Sequence, residues 1–253
     1  MLRGGWLASP LLWVGLLFAG LLLRMEALRP VFHWAFPGTS PVIYDRASFL
    51  ELFLMHLGLV ATASLAAALA GIALAIFVTR PAGSEFRTLI DTLAAIGQTF
   101  PPVAVLAIAV PLIGFGARPT IIALFIYGLL PIIENAVAGL EGVPPEVKEA
   151  ADGMGLSRRQ RLVAVELPLA APVILAGVRV SVTIAIGTAT IGSTVGALTL
   201  GTPIFDGLVA NKLPFVIEGA VLVALFAILT DMLFARLDRR LRRAAAREPA
   251  AAG

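Results

Sequence analysis

The sequence predicts an all-α integral membrane protein with about six transmembrane helices, and its composition and its apolar runs carry this prediction. The 253 residues are 59% hydrophobic and 14% charged, with a mean hydropathy of +0.95, whereas a soluble domain is about half apolar and a quarter charged. Six apolar runs are also long enough for a helix that crosses a hydrocarbon core, which takes about 20 residues. This composition excludes a large soluble catalytic domain.

Six runs qualify as spans by their length and their lack of charge. They cover Trp6–Leu23, Leu50–Val78, Leu89–Ile113, Thr120–Leu140, Leu169–Val195 and Phe215–Phe234. The first run follows Arg3 as a signal peptide would, but its apolar core is longer than the roughly 7 to 15 residues of such a peptide. We therefore expect the first run to remain in the protein as a membrane helix.

The distribution of Lys and Arg predicts which side each loop faces, because cationic side chains are retained on the cytoplasmic side. With six spans, one side holds 13 of the 19 basic residues and the other side holds 5, while Arg179 lies within a span. The larger group includes the loop around 148–161 and the arginine-rich tail at 236–247. Both termini are therefore expected in the cytoplasm, and the tail is interpreted as an ordinary positive-inside anchor.

Two spans depart from a plain hydrophobic helix. In the third span, Pro101 and Pro102 must interrupt the helical hydrogen bonds, so a kink is expected there. The fifth span carries small and hydroxylated residues over 187–196, which permit close packing between helices. Both features fit a solute path, and packing within one subunit explains them as well. The candidates for the translocation path are Gln98, Phe100, Pro101, Pro102, Thr190 and Ser193.

The residue inventory excludes several kinds of site. Without cysteine the chain has no disulfide, no thiolate nucleophile and no Cys-ligated metal centre, and two histidines are too few for a multi-His cluster. The two lysines, Lys148 and Lys212, precede Glu149 and Leu213 rather than the Ser or Thr of a Walker A loop. We therefore expect that the chain is not an enzyme and that it binds no metal or cofactor itself.

The connection 141–168, on the predicted cytoplasmic side, has the composition of folded structure rather than of a linker. Pro144 and Pro145 stand where a helix would begin, Glu146–Met154 is a helix-forming run, and Gly155 supplies its end. The apolar face of this run is too small for a span but sufficient to dock on a partner. Ser157 then caps a second helical stretch, which Pro168 is expected to end.

This segment resembles the EAA motif of the permease subunits of bacterial binding-protein-dependent ABC importers. The family pattern E-A-A, three residues, G, nine residues, I-x-L-P is matched with one departure, because Val165 replaces Ile. The residues assigned to coupling with the ATPase are Glu149, Ala150, Ala151, Gly155, Leu167 and Pro168. The resemblance implies a type I ABC importer permease fold in which this segment is the coupling helix that inserts into a cleft of the ATPase subunit.

A second resemblance extends over about residues 50–240. The segments 98–102, 123–132, 176–179 and 200–208 are similar to the branch of this family that imports osmoprotectants such as glycine betaine, choline and carnitine. We expect three divisions: an N-terminal transmembrane helix and periplasmic loop over 1–49, the permease core over 50–240 with the EAA segment at 141–168, and a disordered cytoplasmic tail over 241–253.

The resemblance also implies partners and a location in the bacterial inner membrane. The partners are a cytoplasmic ABC ATPase that binds ATP and Mg, a second permease that is either a copy or a homologue, and a periplasmic or lipid-anchored solute-binding protein. Membrane lipids surround the spans, and no nucleic acid is expected. Three alternatives stay open: a secondary transporter driven by an ion gradient, an ABC permease for another small solute such as an amino acid, and a scaffold protein that moves no solute.

Ionisable residues within spans need a reason, because each costs about 2.5 to 3.5 kcal/mol on insertion scales. Glu134 lies about two turns before the cytoplasmic end of the fourth span, and Arg179 lies about three turns after the start of the fifth. We expect either an ion pair between them or separate placements that face water. His56 and Asp231 are interpreted as hydrogen-bonded interior residues rather than as proton carriers.

Overall fold

The structure, a computed structural model, describes residues 10–245, with side chains for 10–241, and this part of the chain is helical without any strand. Its α-helices are α1 Pro10–Arg24, α2 Arg29–Ala35, α3 Phe49–Val78, α4 Arg87–Thr99, α5 Pro102–Ile113, α6 Ala117–Glu141, α7 Pro145–Gly153, α8 Arg158–Arg161, α9 Leu167–Ala189, α10 Thr202–Val209 and α11 Leu213–Ala245. Short 3-10 helices occur at Met25–Leu28, Ser84–Phe86 and Thr190–Val195, and a π turn occurs at Leu162–Glu166.

Five helical stretches of the described residues are long and apolar enough to cross a membrane. They are Pro10–Ala35, Phe49–Val78, Ala117–Glu141, Arg158–Val195 and Leu213–Leu241. The first predicted span began at Trp6, and its residues 6–9 lie outside the described part. The last helix continues beyond the predicted end of its span to Ala245, while 246–253 of the predicted tail also lie outside it. The prediction of an all-α protein with several apolar helices is confirmed.

The third predicted span, Leu89–Ile113, is not one kinked helix but two helices. Helix α4 ends at Thr99, α5 begins at Pro102, and the chain turns by 94° at this break. Because each proline disfavours the α conformation of the residue before it, Phe100 and Pro101 are extended, with ψ of 134° and 138°. The two prolines therefore interrupt the helix completely, and the pair counts as a sixth span only if it is taken together.

The chain forms two compact units, and the long helices α3, α6, α9 and α11 contribute residues to both. The first unit comprises Met1–Ala63, Pro101–Leu124 and Thr183–Leu233, and the second comprises Ser64–Phe100, Phe125–Val182 and Phe234–Gly253.

Aromatic side chains fill the core of the first unit. Phe53 lies edge-on to Phe18 and to Phe226, with ring centroids 5.1 and 5.2 Å apart. The ring of His56, which is completely buried, lies edge-on to Phe226 at 5.6 Å. These edge-to-face pairs are favourable beyond the area that they bury, so they hold α1, α3 and α11 together.

Small residues bring the helices of the second unit close together. A Cβ atom at Gly128 of α6 would lie 2.6 Å from the Ser181 hydroxyl of α9, and one at Gly177 would lie 2.6 Å from the Pro131 carbonyl. Such close approaches are typical of packed membrane helices, where small residues let backbones meet. The buried core of this unit, which includes Ile133, packs against Leu162 and Leu167 of the segment 141–168.

The small-residue run of the fifth span does not form one helix face. Helix α9 ends at Ala189, the chain continues as a 3-10 helix to Val195, and Gly196 turns it with a φ of +81°. Gly192 packs closely on Thr120, where a Cβ would meet the Thr120 Cγ2 at 2.6 Å. Since only Gly adopts this φ readily, the run serves to end the helix and to pack the turn that follows.

Candidate functional site

The short helix α7, at residues Pro145–Gly153, forms as the sequence predicted. Pro145 occupies its first position, where the missing backbone N–H is not needed. At the other end Gly155 has a φ of +81°, and the Leu156 N–H donates to the Ala151 carbonyl over 3.2 Å. A left-handed glycine followed by such a backbone bond is a common helix stop. The predicted helix is confirmed to within one residue at each end.

Ser157 starts the second helical stretch through a reciprocal cap. Its hydroxyl accepts the Gln160 N–H at 3.4 Å, and the Gln160 side chain accepts the Ser157 N–H at 2.9 Å. This capping box satisfies donors that the first turn of a helix leaves free. The spacing of Ser157 and Gln160 is a signal that the sequence already contained.

The expectation that Pro168 ends this stretch is wrong. Helix α8 passes into the π turn Leu162–Glu166 and then directly into α9, so that Pro168 is the second residue of α9. A proline is tolerated in the first turn after a change of helical winding, because its missing N–H disturbs the fewest bonds there. The coupling segment and the fifth span are therefore continuous helix.

The residues that match the EAA motif divide between two faces of α7. Ala151 is 1% exposed and packs inward, whereas Glu149 and Ala150 are exposed. Of the predicted apolar docking face, Val147 and Met154 are also exposed, Met154 at 74%. The outward face can therefore meet a partner, while Ala151 holds the helix to its own chain. Gly155 and Pro168 are exposed and Leu167 is half-buried.

Charged side chains fix α7 to the segments beside it. The Lys148 ammonium donates to the Leu140 carbonyl at 3.2 Å. Arg161 pairs with Asp152 of α7, and its Nε donates to Glu166 Oε1 at 2.9 Å. Glu166 also accepts two hydrogen bonds from Arg80, at 3.1 and 2.5 Å, although its side chain is only 2% exposed. Sequence reasoning did not identify Arg80 or Glu166.

The candidates for the translocation path fall into both units. Gln98 and Phe100 belong to the second unit, whereas Pro101, Pro102, Thr190 and Ser193 belong to the first. The Gln98 amide donates to the Tyr127 carbonyl at 2.9 Å, and Phe100 is 47% exposed. The hydroxyls of Thr190 and Ser193 donate to the Gly187 and Thr190 carbonyls, both at 2.7 Å. A path along these residues stays a prediction.

The two ionisable residues that were expected within spans as a possible ion pair, Glu134 and Arg179, differ in their exposure. Glu134 is exposed on α6, and Arg179 is half-buried on α9. The ion pair between them stays a prediction, as does the alternative of separate placements. Asp231 on α11 is half-buried, and its side chain is not without a partner.

His56 is a hydrogen-bonded interior residue, as the sequence predicted. Its Nε2 lies 3.1 Å from the Ile186 carbonyl, and its Nδ1 lies 3.2 Å from the Leu200 N–H. A neutral ring with its proton on Nε2 satisfies both contacts, because one nitrogen then donates and the other accepts. Both ring nitrogens are therefore engaged, and they join α3 to the backbone at Ile186 and at Leu200.

A polar cluster in the first unit was missed by sequence reasoning. The Tyr44 hydroxyl donates to Asp206 Oδ2 at 3.1 Å, Arg46 pairs with the same oxygen at 3.1 Å, and the Tyr44 N–H donates to Glu218 Oε2 at 3.0 Å. Burial and then the Asp206 charge raise the pKa of Tyr44 to about 12. The cluster pins the loop before α3, where Val42 is buried, onto α10 and α11. Contacts over 160 residues or more leave no local signal in a sequence.

Among residues 10–245 no three His, Asp or Glu side chains come together as a metal site. The exposed face of α7 and the charged contacts at its other side have the features of a docking and anchoring element.

Comparison with known proteins identifies what this arrangement is similar to. The family model of the binding-protein-dependent transport system inner membrane component matches residues 67–243. The osmoprotectant import permease protein OsmY of Salmonella typhimurium is 41% identical over 222 residues, which are 88% of this chain and 94% of OsmY. The glycine betaine/carnitine/choline transport system permease protein OpuCD of Bacillus subtilis is 38% identical over 196 residues, which are 76% of this chain and 83% of OpuCD.

A solved structure supports the fold. The MetNI methionine ABC transporter in an inward facing conformation matches with a TM-score of 0.68 at 20% sequence identity, over 76% of this chain and 95% of the matched chain. The likeness shows the fold alone, and this fold is the type I ABC importer permease fold that the resemblance implied.

Proposed function

The chain belongs to the family of binding-protein-dependent transport system inner membrane components, as a permease subunit of an ABC importer, and on that premise we propose that it imports osmoprotectants of the glycine betaine, choline and carnitine type. The observation that carries the proposal is the 41% identity to OsmY over nearly the full length of both chains. The chain is a transport subunit and not an enzyme, and ATP is hydrolysed by a separate subunit.

In this proposal, the movement of the ATPase during its ATP cycle is transmitted to the permease through α7. ATP and Mg bind to the partner ATPase, and no cofactor binds to this chain. The exposed apolar side chains Val147 and Met154, with Ala150 between them, support docking of α7 in a groove of the ATPase. A movement of the ATPase can shift the permease only if the two make different contacts in their two states. The contact between α7 and the ATPase is the contact that changes in this proposal.

The proposed orientation places both termini in the cytoplasm of a bacterium, with the protein in its inner membrane. The ion pair of Arg87 with Glu141 joins the start of α4 to the end of α6, and the pair of Arg80 with Glu166 joins the end of α3 to the coupling segment. Both pairs support a common side for these four chain segments. In that case α4 and α5 together make one crossing, and the chain crosses six times.

The remaining partners are a second permease, as a copy or a homologue, and a periplasmic or lipid-anchored solute-binding protein. Family membership favours ATP-driven transport over the ion-gradient alternative and over a scaffold protein. The engaged ring of His56 also argues against a proton path through that residue. Import of amino acids is the remaining alternative, and the uptake experiment includes methionine and histidine for this reason.

The test is uptake in proteoliposomes that contain the chain, its ATPase and its binding protein. Radiolabelled glycine betaine, choline and carnitine are compared with methionine and histidine, with and without ATP. We expect ATP-dependent uptake of at least one of the first three solutes. Uptake of the amino acids alone would overturn the solute assignment, and uptake without ATPase or nucleotide would overturn the ATP-driven mechanism.

A matched pair of variants tests the coupling segment in the same assay. G155D places a side chain at a φ of +81° next to α7, and G38D places the same side chain at a φ of +88° in the loop before α3, with no atom within 4 Å in either case. We expect G155D to abolish ATP-driven uptake while the complex still assembles, and G38D to retain ATP-driven uptake. Equal effects of the two variants on ATP-driven uptake would contradict a special role of Gly155.

A further inference from the structure

The carboxylate of Glu166 is the most deeply buried charge of the coupling segment. Its side chain is 2% exposed, and three hydrogen bonds from two arginines surround it. Arg80 binds both oxygens, at 3.1 and 2.5 Å, and Arg161 Nε binds Oε1 at 2.9 Å. A bidentate arginine restrains direction as well as distance, so this contact resists rotation of one segment against the other.

The network connects three separate segments of the second unit. Arg80 stands two residues after the end of α3, Arg161 ends α8, and Arg161 also pairs with Asp152 of α7. The two arginines and the two carboxylates balance in charge. Buried ions require such balance, because a charge left without its partner in the interior is strongly destabilising. Glu166 therefore depends on both of its arginines, and the half-exposed Asp152 adds the link from Arg161 to α7.

The π turn places Glu166 toward these partners. It lies between Val165, the one departure from the motif, and Leu167, which matches it, at a position that the motif pattern leaves open. The turn Leu162–Glu166 has five residues of wider winding, and Glu166 is its buried residue. A π turn of this kind frequently marks a functional position in a helix.

We propose that Glu166 is a positioning residue that joins α7 to the end of α3, so that a displacement of α7 by the ATPase is carried into that membrane helix. The proposal rests on the proposed function of α7. The proposed connection is a network of ion pairs and hydrogen bonds that runs from Asp152 through Arg161 and Glu166 to Arg80. Contiguous networks of this kind carry coupling between distant sites. A network that only stabilised the fold would not change the ratio of solute moved to ATP hydrolysed.

The pair of Arg87 with Glu141 supplies a matched control within the same unit. It also joins two segments over a long stretch of chain, but its side chains are 43% and 47% exposed. An ion pair with both partners this exposed contributes little, because water screens it, whereas Arg161 in the pair with Asp152 is only 19% exposed. E141Q therefore makes the same chemical change as E166Q without disturbing a buried network.

The first measurement is uptake per ATP in the reconstituted complex. We expect E166Q to lower this ratio by at least about fivefold, which is the low end of typical coupling between sites, while hydrolysis of ATP continues. D152N removes only the link to α7 at a half-exposed position, so it should fold normally and lower the ratio in the same direction. E141Q should match the parent. Unchanged ratios in E166Q and D152N would overturn the proposal.

The second measurement needs neither ATPase nor transport. Because the chain has no cysteine, M154C carries a single spin label at the exposed end of α7, in the full chain in lipid nanodiscs. We expect the label spectrum to shift toward the mobile component in E166Q and D152N, and not in E141Q. A label that stays immobile in D152N would overturn the link even if uptake falls. A shift in the chain alone, together with no ATP-driven uptake by the reconstituted complex, would support the link and overturn the proposed function instead.

Discussion

Replacing His56 by leucine is expected to destabilise the first unit by about 2 to 4 kcal/mol. The two contacts of the ring, at 3.1 and 3.2 Å, are lost, while a side chain of similar volume remains. Hydrogen bonds between membrane helices contribute about 0.6 kcal/mol on average and up to about 1.7. The Leu200 N–H is also left buried without a partner, which costs about 1 to 3 kcal/mol.

A series at this position separates the two bonds. In H56N the amide oxygen occupies the place of Nδ1 and can still accept from Leu200, while in H56Q the amide nitrogen occupies the place of Nε2 and can still donate to Ile186. Each is expected to lose about half as much stability as H56L. The free energy of unfolding is measured by titration with sodium dodecyl sulfate in mixed micelles, followed by circular dichroism.

The control is the other histidine of the chain. His33 is exposed on α2, so H33L is expected to change the free energy of unfolding by less than about 0.5 kcal/mol. If H56L costs no more than H33L, the ring does not join the helices as the structure shows. Retained ATP-driven uptake in H56Q would agree with a structural role, whereas loss of uptake in a variant of full stability would refute it.

Three further predictions concern other positions. G201A is expected to prevent accumulation of folded protein in membranes, because its Cβ would overlap the Thr190 backbone. A monodisperse peak at the parental level in size-exclusion chromatography would contradict this expectation. Y44F is expected to lower the free energy of unfolding by about 1 kcal/mol near neutral pH, measured in the same detergent titration. This difference should disappear as the pH rises from 10 through about 12. The pKa of Tyr44 is raised to about 12 in the folded protein, so its hydroxyl contributes stability only while it is protonated. The charge swap E134R with R179E should assemble better than either single variant if the two side chains pair, and equal assembly of all three would disprove the pair.

The spans were predictable because their signal is local. The second span was expected from Leu50 and begins at Phe49, and both the expected and the observed end lie at Val78. Hydropathy and length are properties of one continuous segment. The same holds for α7, because Pro145 at its start and Gly155 just after its end are signals within one short segment.

The contacts that fix the site were not predictable, because their partners are far apart in the chain. Arg80 and Glu166 are separated by 86 residues, and no periodicity within either segment indicates the other. The behaviour of Pro168 was missed for another reason. Proline usually stops a helix, but here the chain winds on from the π turn through Pro168 into α9, as it also does through Pro172.

The π turn at Leu162–Glu166 also makes the winding of the helix a requirement in its own right. An α-helix advances by about 100° per residue, since it has 3.6 residues per turn, so five residues of ordinary α winding would leave Arg161 and Glu166 about 140° apart around the helix axis. Arg161 would then face away from Glu166, although every side chain of the network was still encoded. A substitution in this turn that favours ordinary winding can therefore break the pair without removing either partner, and the wider turn sets the orientation of α8 relative to α9.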